Sequence, residues 1–183
     1  ALFLNLRQKF IINTVNNRSA NGINLSSSTA DLGTGSTVTL TGTTDGGGNR
    51  TGIYVDKGSH LTADGLTIKI ENSNTDAGSI KGLELSANGS GSNGSVDLGS
   101  NSMIDISQGS ARNGAGVFQG SGTFVADHLT VKTTGNMVYG MELQGGTMNL
   151  GSGSKVSADG IMETIWVTGG TLTADALTVT AAQ

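Results

Sequence analysis

Carboxylates and aromatic rings at matching places in short apolar triplets are the residues of this sequence that could do chemistry. Glu84 in Leu83-Glu84-Leu85 and Glu142 in Met141-Glu142-Leu143 are placed alike. So are Tyr54 in Ile53-Tyr54-Val55, Phe118 in Val117-Phe118-Gln119, Trp166 in Ile165-Trp166-Val167 and Asn24 in Ile23-Asn24-Leu25. Residues two apart on a strand share a face, so each middle residue points opposite to its apolar neighbours. Stacked, the triplets give one outward column: Asn24, Tyr54, Glu84, Phe118, Glu142, Trp166. Its two carboxylates, two rungs apart, would have backbones ~10 Å apart, against a carboxyl separation of ~6.5–9.5 Å in inverting glycosidases. Phe118 stands between them and the column offers no base, so an enzyme is not expected and no catalytic residue is assigned. Outward aromatics suit contact with a protein or glycan, which makes Tyr54, Phe118, Trp166, Glu84 and Glu142 the candidate contact surface. The plainer alternative is that they cover aliphatic edges, as cross-strand neighbours do in any sheet.

Other constellations carry less. Asp64, Asp127 and Asp175 share a slot that recurs every second coil, and carboxylates ~10 Å apart in one column cannot crowd the oxygens that calcium needs. They read as turn caps. His60 and His128 fall in different slots, and no Ser, His and Asp meet in adjacent ones, so no triad is supported. No metal, cofactor or cofactor-binding residue is expected.

The elements that must position the column follow from an internal repeat. LTADGLTI from Leu61, FVADHLTV from Phe124 and LTADALTV from Leu172 are near-copies. ADLGTGSTVTL from Ala30, VDLGSNSMIDI from Val96 and MNLGSGSKVSA from Met148 interleave with them. Each copy follows one triplet, and the triplets start at positions 23, 53, 83, 117, 141 and 165. This predicts six coils of three short strands. The second strands carry inward pairs such as Ala30 and Leu32 or Leu61 and Ala63. The third strands carry Val38 and Leu40, Leu66 and Ile68, Ile104 and Ile106, Leu129 and Val131, Val156 and Ala158, Leu177 and Val179. On that pairing the gap from second to third strand is six residues in odd coils and three in even ones. Odd coils turn on Gly and Ser, even coils on Asp. At ~4.8 Å per rung six coils make a prism ~29 Å long. Residues 43–51, 71–81, 86–95 and 107–115 read as polar loop excursions. Residues 1–20 read as a partial coil or cap, and 21–183 as the β-helix.

Composition agrees. Thirty Gly, no Pro and 4% aromatic residues in 183 leave an aliphatic core of thin layers and little scope for long helices. A net charge of −4 with 10 Lys and Arg offers no stripe for a phosphate backbone, so nucleic acid is not an expected partner. No cysteine is present, which removes disulfides and thiolate chemistry. No apolar run is long enough for a membrane-spanning helix. The chain begins at Ala1 without a signal-peptide pattern and is expected to be a segment of something longer.

Gly-led coils of the form KGSHLTADGLTIKI, GSGTFVADHLTVKTTG, GSGSKVSADG and TGGTLTADALTV, over residues 21–183, resemble the passenger domains of Gram-negative type V autotransporters of the pertactin-like class. The resemblance implies an all-β fold, a right-handed parallel β-helix or β-solenoid, which the two-coil alternating repeat refines. It also implies a location outside the cell, secreted or at the cell surface of a Gram-negative bacterium. The expected function is contact, as an adhesin or virulence-associated ligand of a host cell-surface protein, extracellular matrix or glycan, by a monomer. A structural spacer in a larger passenger is the first alternative, and a polysaccharide hydrolase or lyase the second.

Overall fold

The computed structural model describes residues 3–5, 9–13, 19–42, 48–72, 77–160 and 163–182, which form a solenoid of parallel strands without a helix. Strands are numbered along the chain. Three columns run the length of the stack. The second-strand column holds β1 (Phe3–Asn5), β4 (Thr29–Thr34), β7 (His60–Asp64), β10 (Ser95–Ser100), β12 (Thr123–Asp127), β14 (Thr147–Ser152) and β17 (Thr171–Asp175). The third-strand column holds β2 (Lys9–Asn13), β5 (Thr37–Gly42), β8 (Thr67–Asn72), the starts of β11 (Met103–Gln119) and β13 (Thr130–Leu143), then β15 (Lys155–Asp159) and β18 (Thr178–Ala182). The first-strand column holds β3 (Ala20–Leu25), β6 (Arg50–Val55), β9 (Ala77–Leu85), the ends of β11 and β13, and β16 (Ile165–Val167).

The inward aliphatic residues make one continuous core. Leu32, Leu61, Leu98, Ile104, Leu129 and Leu150 are wholly buried. Burial falls away in the sixth coil, where Val167 and Val179 are about half exposed. Below the first coil, β1 pairs with β4 through Leu4↔Ala30, and β2 with β5 through Phe10↔Val38 and Ile12↔Leu40.

Two features of the repeat differ from the sequence reading. First, Val38 pairs with Ile68 and Leu40 with Ile70. Ile104 pairs with Ile68 and Val131, and Val156 with Val131 and Val179. The third-strand slot in even coils therefore starts two residues later than Leu66, Leu129 and Leu177. The gap alternates between six and five, not six and three. Three apolar or small residues two apart, such as Leu66, Ile68 and Ile70, leave the phase open to a two-residue slip that preserves the facing. The single extra residue of odd coils is a bulge at Gly33, Gly99 and Gly151, all left-handed with φ of 61, 53 and 53°. Second, the expected loops are shorter: residues 50–51, 71–72, 77–81 and 95 already belong to β6, β8, β9 and β10, and residues 107–115 are not a loop at all. β11 runs through residues 107–115, with Ala111 opposite Ala77 and Asn113 opposite Ser79. Its Gly, Ser and Asn content resembles turn chemistry, but ladders on both sides satisfy the backbone.

The leucines left over at the corners explain the alternation. In odd coils a buried serine occupies the corner before the third strand: Ser36, Ser102, Ser154. Ser102 Oγ donates to Leu98 O at 2.9 Å and accepts from Leu66 N of the coil below at 3.0 Å. Ser154 Oγ does the same with Leu150 O at 2.6 Å and Leu129 N at 3.1 Å. Ser102 and Ser154 thus each stitch an odd coil to the even coil beneath.

The aspartate turns add a second stitch. Asp64 Oδ1 accepts Ser100 N at 2.8 Å, and Asp127 Oδ1 accepts Ser152 N at 2.6 Å. Odd coils cap themselves locally, with Gly33 N, Gly99 N and Gly151 N donating to Asp31, Asp97 and Asn149 two residues back. The Ser152 amide first, then the His128 imidazole at 2.7 Å, hold the Asp127 carboxyl below the usual range against a smaller opposing effect of desolvation.

Glycine at the head of five of the six first strands, Thr164 heading the sixth, has a packing cause. A Cβ on Gly140 would sit 2.5 Å from Thr164 O and 2.6 Å from Val156 Cγ1. The same crowding meets Gly22, Gly52, Gly82 and Gly116, where chain and third-strand side chains close on the corner.

Candidate contact face on the first-strand sheet

The six middle residues of the triplets are in register. Asn24 lies opposite Tyr54, Tyr54 opposite Glu84, and Glu84 opposite Phe118. Phe118 lies opposite Glu142, and Glu142 opposite Trp166. The ladder forms because inward neighbours such as Ile53, Leu83, Val117 and Met141 are buried, which forces the residues between them outward.

Exposure along the column is uneven. Asn24 is exposed and Trp166 is 38% exposed; Tyr54, Glu84 and Phe118 are half-buried, and Glu142 is only 3% exposed. A second column, one corner glycine earlier, accounts for the difference: Asn21, Thr51, Lys81, Ala115 and Tyr139 are likewise in register. Lys81 Nζ stands 3.8 Å above the centre of the Phe118 ring and pairs with Glu84 Oε1 at 2.9 Å. Tyr139 stacks on Trp166, with ring centroids 5.0 Å apart and planes 17° from parallel. Gln144 Nε2 donates to Glu142 Oε1 at 2.6 Å.

Tyr139 is 6% exposed, and its phenol is pushed above its ordinary value by burial first, then by the charges of Glu163 and Glu142. The two column carboxylates thus stand in different company: Glu84 beside a lysine, Glu142 among rings and an amide.

Lys81, Tyr139, Gln144 and Glu163 were not singled out from sequence. A signal existed in the repeated unit x-Gly-apolar-x, read as Lys81-Gly82-Leu83-Glu84 and Tyr139-Gly140-Met141-Glu142. The residue before the glycine rounds the corner and leans on the middle residue of the next coil's triplet, Phe118 for Lys81 and Trp166 for Tyr139. Elsewhere, His60 Nδ1 meets Ser95 Oγ at 2.7 Å, far from His128 at its own turn. Among the described residues no group of three or more His, Asp or Glu is placed to hold a metal ion, and no helix is long and apolar enough to cross a membrane.

The chain is 36% identical, over 160 residues, to the probable autotransporter YcgV of Escherichia coli (strain K12). That stretch is 83% of this chain. The chain is thus a homologue of a probable autotransporter. Its β-solenoid is consistent with a fragment of a passenger domain, and the relationship carries a secreted or outer-membrane-associated setting in Gram-negative bacteria. The aligned stretch spans 15% of the length of the relative. No protein-family model and no solved structure matches the chain.

Proposed function

We propose that this autotransporter segment acts by contact, as an adhesin or virulence-associated ligand of a host cell-surface protein, matrix protein or glycan. The first-strand face is its contact surface and the remainder of the solenoid its support. It works as a monomer at the cell surface or after release, without a cofactor, a nucleic acid or catalysis of its own. The observation that supports this reading is the unbroken column from Asn24 to Trp166, which gathers rings and carboxylates on one face. Trp166 is the exposed anchor. Large rings concentrate binding energy in few residues, so truncating them weakens a true interface by a large factor.

The test replaces Tyr54, Phe118 and Trp166 by Ala and measures attachment of the purified chain to host cells and immobilised matrix. Retained far-UV circular dichroism with attachment lost is the expected result. Attachment equal to that of the unaltered chain refutes the assignment and leaves the segment as a spacer.

A further inference from the structure

The face carries one device twice, two coils apart, and only one copy is electrically complete. Its three slots hold Lys81, Glu84 and Phe118 in the first copy. They hold Tyr139, Glu142 and Trp166 in the second, as the ladders Lys81↔Ala115↔Tyr139, Glu84↔Phe118↔Glu142 and Phe118↔Glu142↔Trp166 show. In the first copy the ammonium of Lys81 satisfies both neighbours, lying on the Phe118 ring and against the Glu84 carboxylate.

In the second copy the cation's slot is taken by Tyr139, which turns to stack on Trp166. Glu142 then has no cation in ion-pair reach among the described residues, although it is 3% exposed. Its one bond among the described residues comes from the neutral amide of exposed Gln144. A carboxylate drawn out of water without an opposite charge is unfavourable. The exposed ring beside it is the kind of surface on which an ammonium or guanidinium rests. Exposed Glu163, whose charge reaches Tyr139, adds to the negative field.

We propose that Glu142 and Trp166 form a subsite for a lysine or arginine side chain of a protein ligand, the external cation filling the role that Lys81 fills two coils earlier. This rests on the reading of the face as a contact surface and narrows its ligand to one with a basic side chain. The incoming group exchanges the neutral Gln144 bond for a charge-assisted one and covers the open part of the Trp166 ring. A neutral sugar stacked on Trp166 would leave Glu142 uncompensated, so the charge favours a basic peptide.

Trp166 is the sole tryptophan, and its emission reports on the subsite directly. The probe is acetyl-(Gly-Lys)4-amide, titrated into the 183-residue chain beside the same peptide with acetylated lysines and a neutral maltooligosaccharide. A saturable change with the basic peptide alone, weakening with salt, is expected. Glu142→Gln, which keeps side-chain length, should weaken it by about tenfold or more. Glu71→Gln, on another face and paired with Lys69, should leave it unchanged. Tyr139→Lys rebuilds the first copy in the second and should abolish the response.

Equal titration of Glu142→Gln or Tyr139→Lys and the unaltered chain overturns the proposal. So does an equal response to the acetylated peptide or the sugar. If the basic peptide leaves the emission unmoved while Trp166→Ala abolishes host attachment, the contact face stands and the cation subsite falls. If the peptide binds through Glu142 while attachment survives Trp166→Ala, the subsite stands and the adhesive reading falls.

Discussion

Replacing Ser102 by Ala tests the stitch between coils. Ser102 is 1% exposed, and its Oγ joins Leu98 O to Leu66 N at 2.9 and 3.0 Å. Alanine fits the space but removes both bonds, each worth about 1 kcal/mol net. It also leaves the Leu66 N–H buried with no acceptor, a desolvation penalty of about 1–3 kcal/mol that partly overlaps the lost bond. The expected loss is therefore about 2–4 kcal/mol. In a chain of this size each kcal/mol lowers Tm by about 2–4 °C, so melting should fall by about 5–15 °C. Circular dichroism melting and urea titration give the global loss, and hydrogen exchange at the Leu66 amide locates it. Ser154→Ala should match it, since Ser154 makes the same pair of bonds. Ser90→Ala, in an exposed turn, should stay within about 0.5 kcal/mol. A Ser102→Ala loss no larger than that of Ser90→Ala, or unchanged Leu66 exchange, would refute the reasoning.

Acid should loosen the corner between coils one and two. Burial pushes the Asp56 carboxyl up, but bonds from Ser59 Oγ, Ser27 N and Ser26 Oγ outweigh it, so its pKa lies below the ordinary value. The unfolded chain then takes up the proton first as pH falls. This stabilisation is complete above about pH 4 and drains away as pH drops through the folded value. Urea midpoints from pH 7 to 2.5 should show a shallower acid slope for Asp56→Asn than for the unaltered chain; parallel slopes would contradict the assignment. At the glycine column, a Cβ on Gly116 meets Gly140 O at 2.6 Å and crowds Val131. Gly116→Ala should cost about 1–3 kcal/mol by overpacking, and an unchanged urea midpoint would show that the corner yields.

The architecture was legible because both periodicities lie on the surface of the sequence. Triplets such as Ile53-Tyr54-Val55 fix the inward face, and near-copies such as LTADGLTI and LTADALTV fix the rung. The register of the third strand was not, because Leu66, Ile68 and Ile70 offer two pairings with the same facing, and only the ladder against Val38 and Leu40 chooses. The column of middle residues was readable in order but not in exposure. Covering of Phe118 by Lys81 and of Tyr139 by Trp166 depends on how side chains lean across the corner glycine, which spacing does not encode. The strand through residues 107–115 was hidden by its composition, since Gly, Ser and Asn describe a turn when alone and a ladder when paired on both sides.

Both stitches run the same way: the serine of an odd coil reaches down to a leucine amide, and the aspartate of an even coil clasps the amide above it. An even coil and the odd coil above it are thus one joint, and coils two with three and four with five are its two copies. Copying or losing such a pair keeps every joint intact. Removing a single coil sets two aspartate turns, or two serine corners, face to face with nothing to hold. The natural unit of growth for this solenoid is therefore the pair, and lengthening by duplication should proceed in even numbers of coils.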